Sequence, residues 1–568
     1  MSLFCSVEGP LQLKIALYGN PRVRPEWTEA GVQRLVELGF NAVQLNIAWL
    51  CRPYDEALNL RDVVSLPEEQ EPPRVADRRA ELLYRLELAK AAGLRTFFHF
   101  GSPFMWRNPL TGEEDRTWLD AGGRGQLDTD EPWYDVLRPE IVDYETRLLA
   151  RFREEFSEVD DLLVYTYDQD AWQANEFGNS KWSRGIPLHK RLPGFLSMLQ
   201  QVWGEGREGN HLLWWEPWEL SAGQIYACLP HLPTKGFGLM LHSNIAEVQV
   251  ARPVDVWLRN TAWQGAKLGM PVVVEAFFTQ MTEELEPLSI PCPRLVDEEI
   301  QAIRSVPGVV GLKEYFGAAT DTPDLNLDTL STRLAHPDWT TDQLLNVITE
   351  RFGEAQGWVL ALIETTTEAI RLYPWDASWF AREVGVASID HGWNGATVRG
   401  QMVETPSWRS TRYSHFMMTT DQQPHPFLLE DVQLRCEACA SALEQALPLA
   451  ETLATSAPEE VDRESFAQLV DHLDRFRRVA VSYALHLRET NVAQLLREDL
   501  AAGKPWREDL AAELADLLAR DVANQRGEGR VVEMQRLYAA DPVTFVQRYL
   551  VPTEVTVLER GHHTLTTR

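Results

Sequence analysis

The sequence predicts a (β/α)₈ TIM barrel followed by an α-helical C-terminal domain, and three observations lead to that reading. Short, nearly all-apolar runs recur eight times before about residue 325. Amphipathic stretches of helical period separate them. Past that point the short runs stop and long helical periods take over, so the barrel is assigned to residues 1–325 and the helical domain to 326–568. Eight β–α alternations are the number that closes such a barrel.

The eight runs are Leu13–Tyr18, Ala42–Ile47, Arg95–His99, Leu162–Tyr167, His211–Trp215, Gly238–His242, Val272–Phe277 and Val310–Tyr315. Continuous apolar runs of this length are what parallel strands buried on both faces require. Between them, Trp27–Leu38 and Arg78–Ala92 read as helices that stop at Gly39 and Gly93. Glycine there can take the left-handed backbone that ends a helix. Glu140–Phe156, Leu192–Trp203 and Val296–Ser305 continue the alternation. A doubly wound nucleotide-binding sheet would need a glycine-rich loop after an early strand, and none follows. In the second part, Thr341–Tyr373, Leu428–Thr455 and Glu464–Thr490 read as long helices, with two shorter ones to about residue 550. Residues 374–427, rich in aromatics and turn formers, form a long insert between the first two. Inserts of that length in a compact domain are commonly functional or interfacial.

Barrel active sites lie where the strands end. Acidic residues stand there after five strands: Asp168 and Asp170 after the fourth, Glu216 at the fifth, Glu247 beyond the sixth, Glu275 on the seventh and Glu314 on the eighth. Carboxylates crowded in one cleft push each other's pKa values apart, giving the acid and base that glycosidic cleavage needs. Tryptophans follow the same strand ends, among them Trp106, Trp172 and Trp215. Their faces suit the C–H faces of sugar rings, and His99, His242 and Asn244 add partners for hydroxyls. Lys313 is a second polar candidate on strand eight, but it alternates with Glu314, so only one of the two can face the barrel interior.

Net charge of −30 argues against nucleic acid or an anionic membrane as partner. No apolar run reaches the roughly 18 residues of a membrane helix, and the N-terminus lacks a basic and apolar leader. Six scattered cysteines fit the reducing, cytoplasmic compartment, with Cys436 and Cys439 read as a helical turn. No cofactor and no metal site is expected, since His99 and His242 alone are too few ligands.

Around strands four, six and seven the chain resembles the α-glucuronidase family of glycoside hydrolases. The segments that carry the likeness are Asp168-Gln169-Asp170, His242 to Gln249, and Glu275-Ala276-Phe277-Phe278-Thr279-Gln280. The resemblance implies a barrel with a helical C-terminal domain, Asp170 as the general acid, and Glu247 in the base machinery. It also implies basic residues for a uronate, where this chain carries Thr166, the Trp215-Glu216 region and His242. Met281 stands where the family has an acidic residue. A neutral or amino sugar is therefore the expected substrate.

The expected catalysts are Asp170 as acid and Glu275 as base or nucleophile, with Glu247 and Glu314 in reserve for the second role and Asp168 binding a hydroxyl or tuning the pair. His99, Trp106, Trp172, Trp215, Glu216, His242, Asn244 and Glu314 are the expected substrate contacts. Two rivals remain: a substrate-assisted N-acetylhexosaminidase, and a non-catalytic carbohydrate-binding barrel. The helical domain is a candidate surface for a homodimer.

Overall fold

The computed structural model describes residues 11–18, 26–46, 57, 59–100, 135–165, 181–207, 211–217, 220, 222–243, 254, 256–279, 290–315, 324–375, 426–458, 463–528 and 530–549. Its centre is a closed parallel barrel whose eight strands follow chain order. They are β1 (Leu13–Leu17), β2 (Ala42–Gln44), β3 (Arg95–Phe100), β4 (Asp161–Tyr165), β5 (Leu213–Glu216), β6 (Phe237–His242), β7 (Val272–Ala276) and β8 (Val309–Glu314). β1 pairs with β8 through Leu13 with Gly311 and Ile15 with Lys313, which closes the ring.

Helices alternate with the strands: α1 (Glu29–Glu37), α2 (Pro73–Ala91), α3 (Pro139–Glu155), α4 (Leu188–Gly204), α5 (Ala222–Cys228), α6 (Val256–Lys267) and α7 (Pro293–Arg304). Thr28 starts α1 by accepting from the Gly31 amide at 3.1 Å, a Ser/Thr-type N-cap. The predicted stops hold: Gly39 and Gly93 sit at φ +92° and +76°, where a side chain would be strained. α8 (Leu325–Ala335) completes the eighth unit.

Strand alternation splits the buried residues into two layers. Leu13, Ile15, Ala42, Phe97, Leu163, Trp214, Met240 and Val273 fill the barrel interior as one cluster. Their neighbours, among them Val43, Phe98, Val164, Trp215, Leu241, Val274 and Leu312, join the helix-facing core. Trp214 takes up space that a side chain at position 238 would occupy. A Cβ on Gly238 would lie 2.5 Å from the indole. At the N-terminal end of the barrel, Asp161 is fully buried. It accepts from Arg95 Nε at 2.8 Å and Nη2 at 2.7 Å, from the Leu212 amide at 2.8 Å and from the Trp214 indole at 3.0 Å.

The long helix expected over Thr341–Tyr373 is two helices. α9 (Thr341–Thr349) and α10 (Gln356–Leu372) are separated by a 3₁₀ segment, Glu350–Ala355. Gly353 there has φ +54° and ψ −124°, outside helical geometry, so the intrahelical hydrogen bonds cannot run through. Then come α11 (Pro426–Ser456), α12 (Arg463–Ala501), α13 (Glu508–Asn524), α14 (Arg530–Ala540) and α15 (Pro542–Tyr549). Cys436 and Cys439 lie buried as free thiols on α11, and burial pushes both thiol pKa values up. None of the described helices is long and apolar enough to cross a membrane.

One continuous apolar core runs from the barrel's helix layer through α10 and α11 and into α12 as far as Leu487. Polar ties accompany it. Thr366 on α10 donates to the Pro291 carbonyl at 2.9 Å, and Arg371 pairs with Glu298 on α7. Buried Arg333 forks onto Asp297 and gives its remaining nitrogen to the carbonyls of His336, Pro337 and Trp339. Asp297 also accepts from Thr341 at 2.6 Å, so α7, α8 and the start of α9 meet at one carboxylate.

Candidate active site

The inward-facing positions turn polar at the C-terminal ends of the strands. Gln44 (β2), His99 (β3), Glu216 (β5), His242 (β6), Glu275 (β7) and Lys313 (β8) form a chain of contacts across the barrel mouth, all of them buried. Lys313 Nζ contacts Glu275 Oε1 as an ion pair. His242 Nε2 lies 3.2 Å from Glu275 Oε2 and 3.2 Å from Glu216 Oε1. His99 Nε2 is 3.8 Å from Glu216 Oε2. Tyr165 and Tyr315 pack edge-on against His99 and His242, with ring centroids 5.1 and 5.3 Å apart.

The far end of the chain fixes a tautomer. Gln44 Nε2 donates to the Asn46 carbonyl at 2.6 Å, which sets the amide's orientation. The same nitrogen lies 3.1 Å from His99 Nδ1, which must then accept. The His99 proton is left on Nε2, toward Glu216. Asn46 locks β2 to β3 by donating to the His99 carbonyl at 2.6 Å and accepting from the His99 amide at 2.8 Å.

Electrostatics separate the groups. Burial alone would raise the Glu216 pKa, but the Lys313 charge, the His242 hydrogen bond and the electrostatic pull of His99 and His242 together hold it below the usual carboxylate range. Glu216 is therefore an anion at neutral pH. His242 is pushed down by burial against the opposing pull of Glu216, so its ring is neutral and has one proton for two carboxylates. The donor atoms of Glu216, His242 and Glu275 lie within 4.8 Å of one another, close enough to share a divalent cation. The Lys313 ammonium already supplies a positive charge to Glu275 there, which makes these residues a poor fit to a second cation.

The structure sorts the sequence candidates. Glu216, His242, Glu275 and His99 come together at the barrel mouth. Trp215 points the other way, into the helix-facing core. Glu314 also faces outward: it accepts from the Phe278 amide at 2.9 Å and from Thr279 Oγ1 at 3.3 Å, which pins the turn after β7. Trp106, Asp168, Asp170, Trp172, Asn244 and Glu247 lie outside the described residues. The sequence reading passed over Gln44, Tyr165 and the Ser243–Glu299 pair. Strand parity would have found the first two, because each stands two residues after an inward apolar position on its own strand, Ala42 and Leu163.

Glu299 lies on α7, fully buried, and accepts from Ser243, the residue after His242. Burial raises its pKa well above the ordinary value, with only the Ser243 hydroxyl opposing. A carboxyl whose folded pKa is raised stabilises the fold below the unfolded pKa and loses that contribution as pH rises through the folded value. Wild type is therefore expected to lose stability as pH climbs from the carboxylate range, and Glu299→Gln to flatten that slope. Urea midpoints at a series of pH values test this; equal slopes for both proteins would rule it out.

No family model matches the chain, and no curated protein matches it either. Solved structures are similar to it to different degrees. A GH138 enzyme targeting pectin rhamnogalacturonan II is similar over 95% of this chain and 84% of its own, with a TM-score of 0.58 and 13% identity. An O-GlcNAc hydrolase of Thermobaculum terrenum covers 96% of this chain and 95% of its own, at TM-score 0.40 and 12% identity. At 13% identity the likeness to the GH138 enzyme is one of fold alone.

Proposed function

We propose that the chain is a glycoside hydrolase that cleaves the glycosidic bond of a neutral or amino sugar by carboxylate acid/base chemistry. The observation that carries this reading is the placement of Glu275. It stands at the C-terminal end of β7, paired with Lys313 and next to His242 Nε2, on the face where barrel enzymes do chemistry. A carboxylate paired with a lysine is suited to attack or to activating water rather than to giving a proton. Glu216 is an anion too, so it suits holding a hydroxyl. That leaves protonation of the leaving oxygen to Asp170, after β4, with Asp168 and Glu247 in support.

The charge balance favours the substrate class. Two carboxylates face one lysine here, and that lysine is already paired. A uronate would meet like charge, at a cost on the order of 1–4 kcal/mol at a few ångströms. The similar fold of the pectin-targeting GH138 enzyme is compatible with carbohydrate as substrate. The proposed barrel boundary near residue 325 and the pairing of two chains through the helical domain belong to the same reading.

The test is a screen of 4-nitrophenyl glycosides, α and β, neutral, amino and uronic, with wild type and Asp170→Asn side by side. Turnover of one neutral or amino glycoside, reduced at least ~100-fold in Asp170→Asn, is the expected outcome. Turnover of uronides alone would overturn the substrate class. Sugar binding without turnover, equal in both proteins, would favour the carbohydrate-binding rival.

A further inference from the structure

The helices after the barrel hold a second polar cluster. Ser482, His486 and Glu489 are spaced four and three apart on α12 and share one face. Asp521 and Gln525, four apart, stand at the end of α13. All five are buried: Glu489 and Asp521 at 0% exposure, Ser482 and Gln525 at 1%, His486 at 2%. Around them the contact is apolar, with Leu485, Val492, Leu514, Leu517 and Leu518 in one cluster.

The polar atoms converge. His486 Nε2 lies 2.7 Å from Asp521 Oδ2, and Ser482 Oγ donates to the other Asp521 oxygen. Gln525 Nε2 donates to Ser482 Oγ at 2.7 Å, which ties its amide to the cluster. Gln525 Oε1 is buried and has no hydrogen-bond partner among the described residues. Donor atoms of His486, Glu489 and Asp521 all lie within 4.8 Å of one another.

We propose that His486, Glu489 and Asp521, completed by the Gln525 carbonyl oxygen, bind one divalent first-row transition-metal cation that stabilises the helical region. The chemistry of the donors points there. One imidazole nitrogen with carboxylate and amide oxygens suits Zn²⁺, Mn²⁺ or Fe²⁺, and the absence of thiolate among these donors disfavours softer ions. Helix bundles build metal sites in this way, from side chains on facing helices. The adjustment needed is under an ångström: four tetrahedral ligands about 2.0–2.2 Å from a shared cation sit roughly 3.3–3.6 Å apart, against the 2.7 Å between His486 Nε2 and Asp521 Oδ2. Ser482 then orients the aspartate from behind, as outer partners of metal ligands do. This departs from the sequence expectation of no metal, which searched strand ends and passed over a His-x-x-Glu spacing inside a helix.

The test uses the full chain after exhaustive chelation, titrated with Co²⁺ and then Zn²⁺. Expected is one tight equivalent of Co²⁺ with visible d–d absorption that Zn²⁺ erases. Glu489→Gln and Asp521→Asn should each weaken that equivalent at least ~100-fold, and Gln525→Leu roughly 10-fold. Weak Co²⁺ binding to the acidic surface would persist in every variant and is counted separately. A wild type that takes up no tight equivalent overturns the proposal, whatever the variants do. So does a tight equivalent that both isosteric variants keep, and in either case the cluster is a hydrogen-bond network alone.

Discussion

Glu275→Gln is expected to lower kcat/KM on the preferred glycoside by roughly 10³-fold or more, about 4 kcal/mol of transition-state stabilisation. The loss should fall on kcat, because the carboxylate works on the reacting carbon or its water and does not serve as a general sugar contact. The variant also breaks a buried ion pair, taking from Lys313 the carboxylate it contacts. Stability would then fall together with activity, and the two must be separated. The double variant Glu275→Gln/Lys313→Met removes the stranded charge, so it should regain much of the lost stability and none of the activity. Measuring kcat and urea midpoint on all three proteins decides the matter. If activity returned with stability in the double variant, Glu275 would be a structural partner of Lys313, and the catalyst would have to be sought elsewhere.

The second large effect is expected at the opposite end of the barrel. Asp161→Ala should destabilise the protein by about 3–5 kcal/mol, the usual result of breaking a buried, multiply bonded ion pair. The mutation would strip an acceptor from the Leu212 amide and the Trp214 indole and remove the carboxylate onto which Arg95 forks. Trp214 fills the barrel interior against Gly238, so its tilt would loosen the packing as well. The check is the first urea transition, with a lower midpoint at unchanged slope. A change below ~1 kcal/mol would mean that water reaches and satisfies these donors when the carboxylate is gone. Barrels carry stability at this face and chemistry at the other, so residual activity per folded molecule should be unaffected.

These two residues also mark how far the sequence could be read. The eight strands were legible because each is apolar on both faces, a pattern that few other structures produce. Gly39 and Gly93 were legible for a similar reason: a glycine directly after a helical period is a specific stop. Gly353 was not, since a lone glycine inside a helical period is tolerated in many helices and only its backbone angles reveal the break. At the site, strand ends pointed to Glu216, His242 and Glu275. Parity was the hidden variable. Sequence established that Lys313 and Glu314 face opposite ways but not which faces inward, and Trp214 and Trp215 pose the same ambiguity. In the structure Lys313 and Trp214 turn inward. Cross-strand register settles it, and register depends on residues far away in the chain. Ser243 and Glu299 stand 56 positions apart, and nothing local connects them.

The apolar core that continues from the barrel's helix layer into α12 bears on how this gene could be divided. Cutting it after the eighth barrel unit would leave α7 and α8 with a bare oily flank, as though one subunit had been pulled from an obligate complex. A truncated barrel would then be expected to aggregate on expression. Supplying the missing helices as a separate chain could rescue it. The two parts are better regarded as a heterodimer written in one reading frame, and an engineer who wants to exchange the helical half should carry Asp297, Arg333 and the α7 surface along with it.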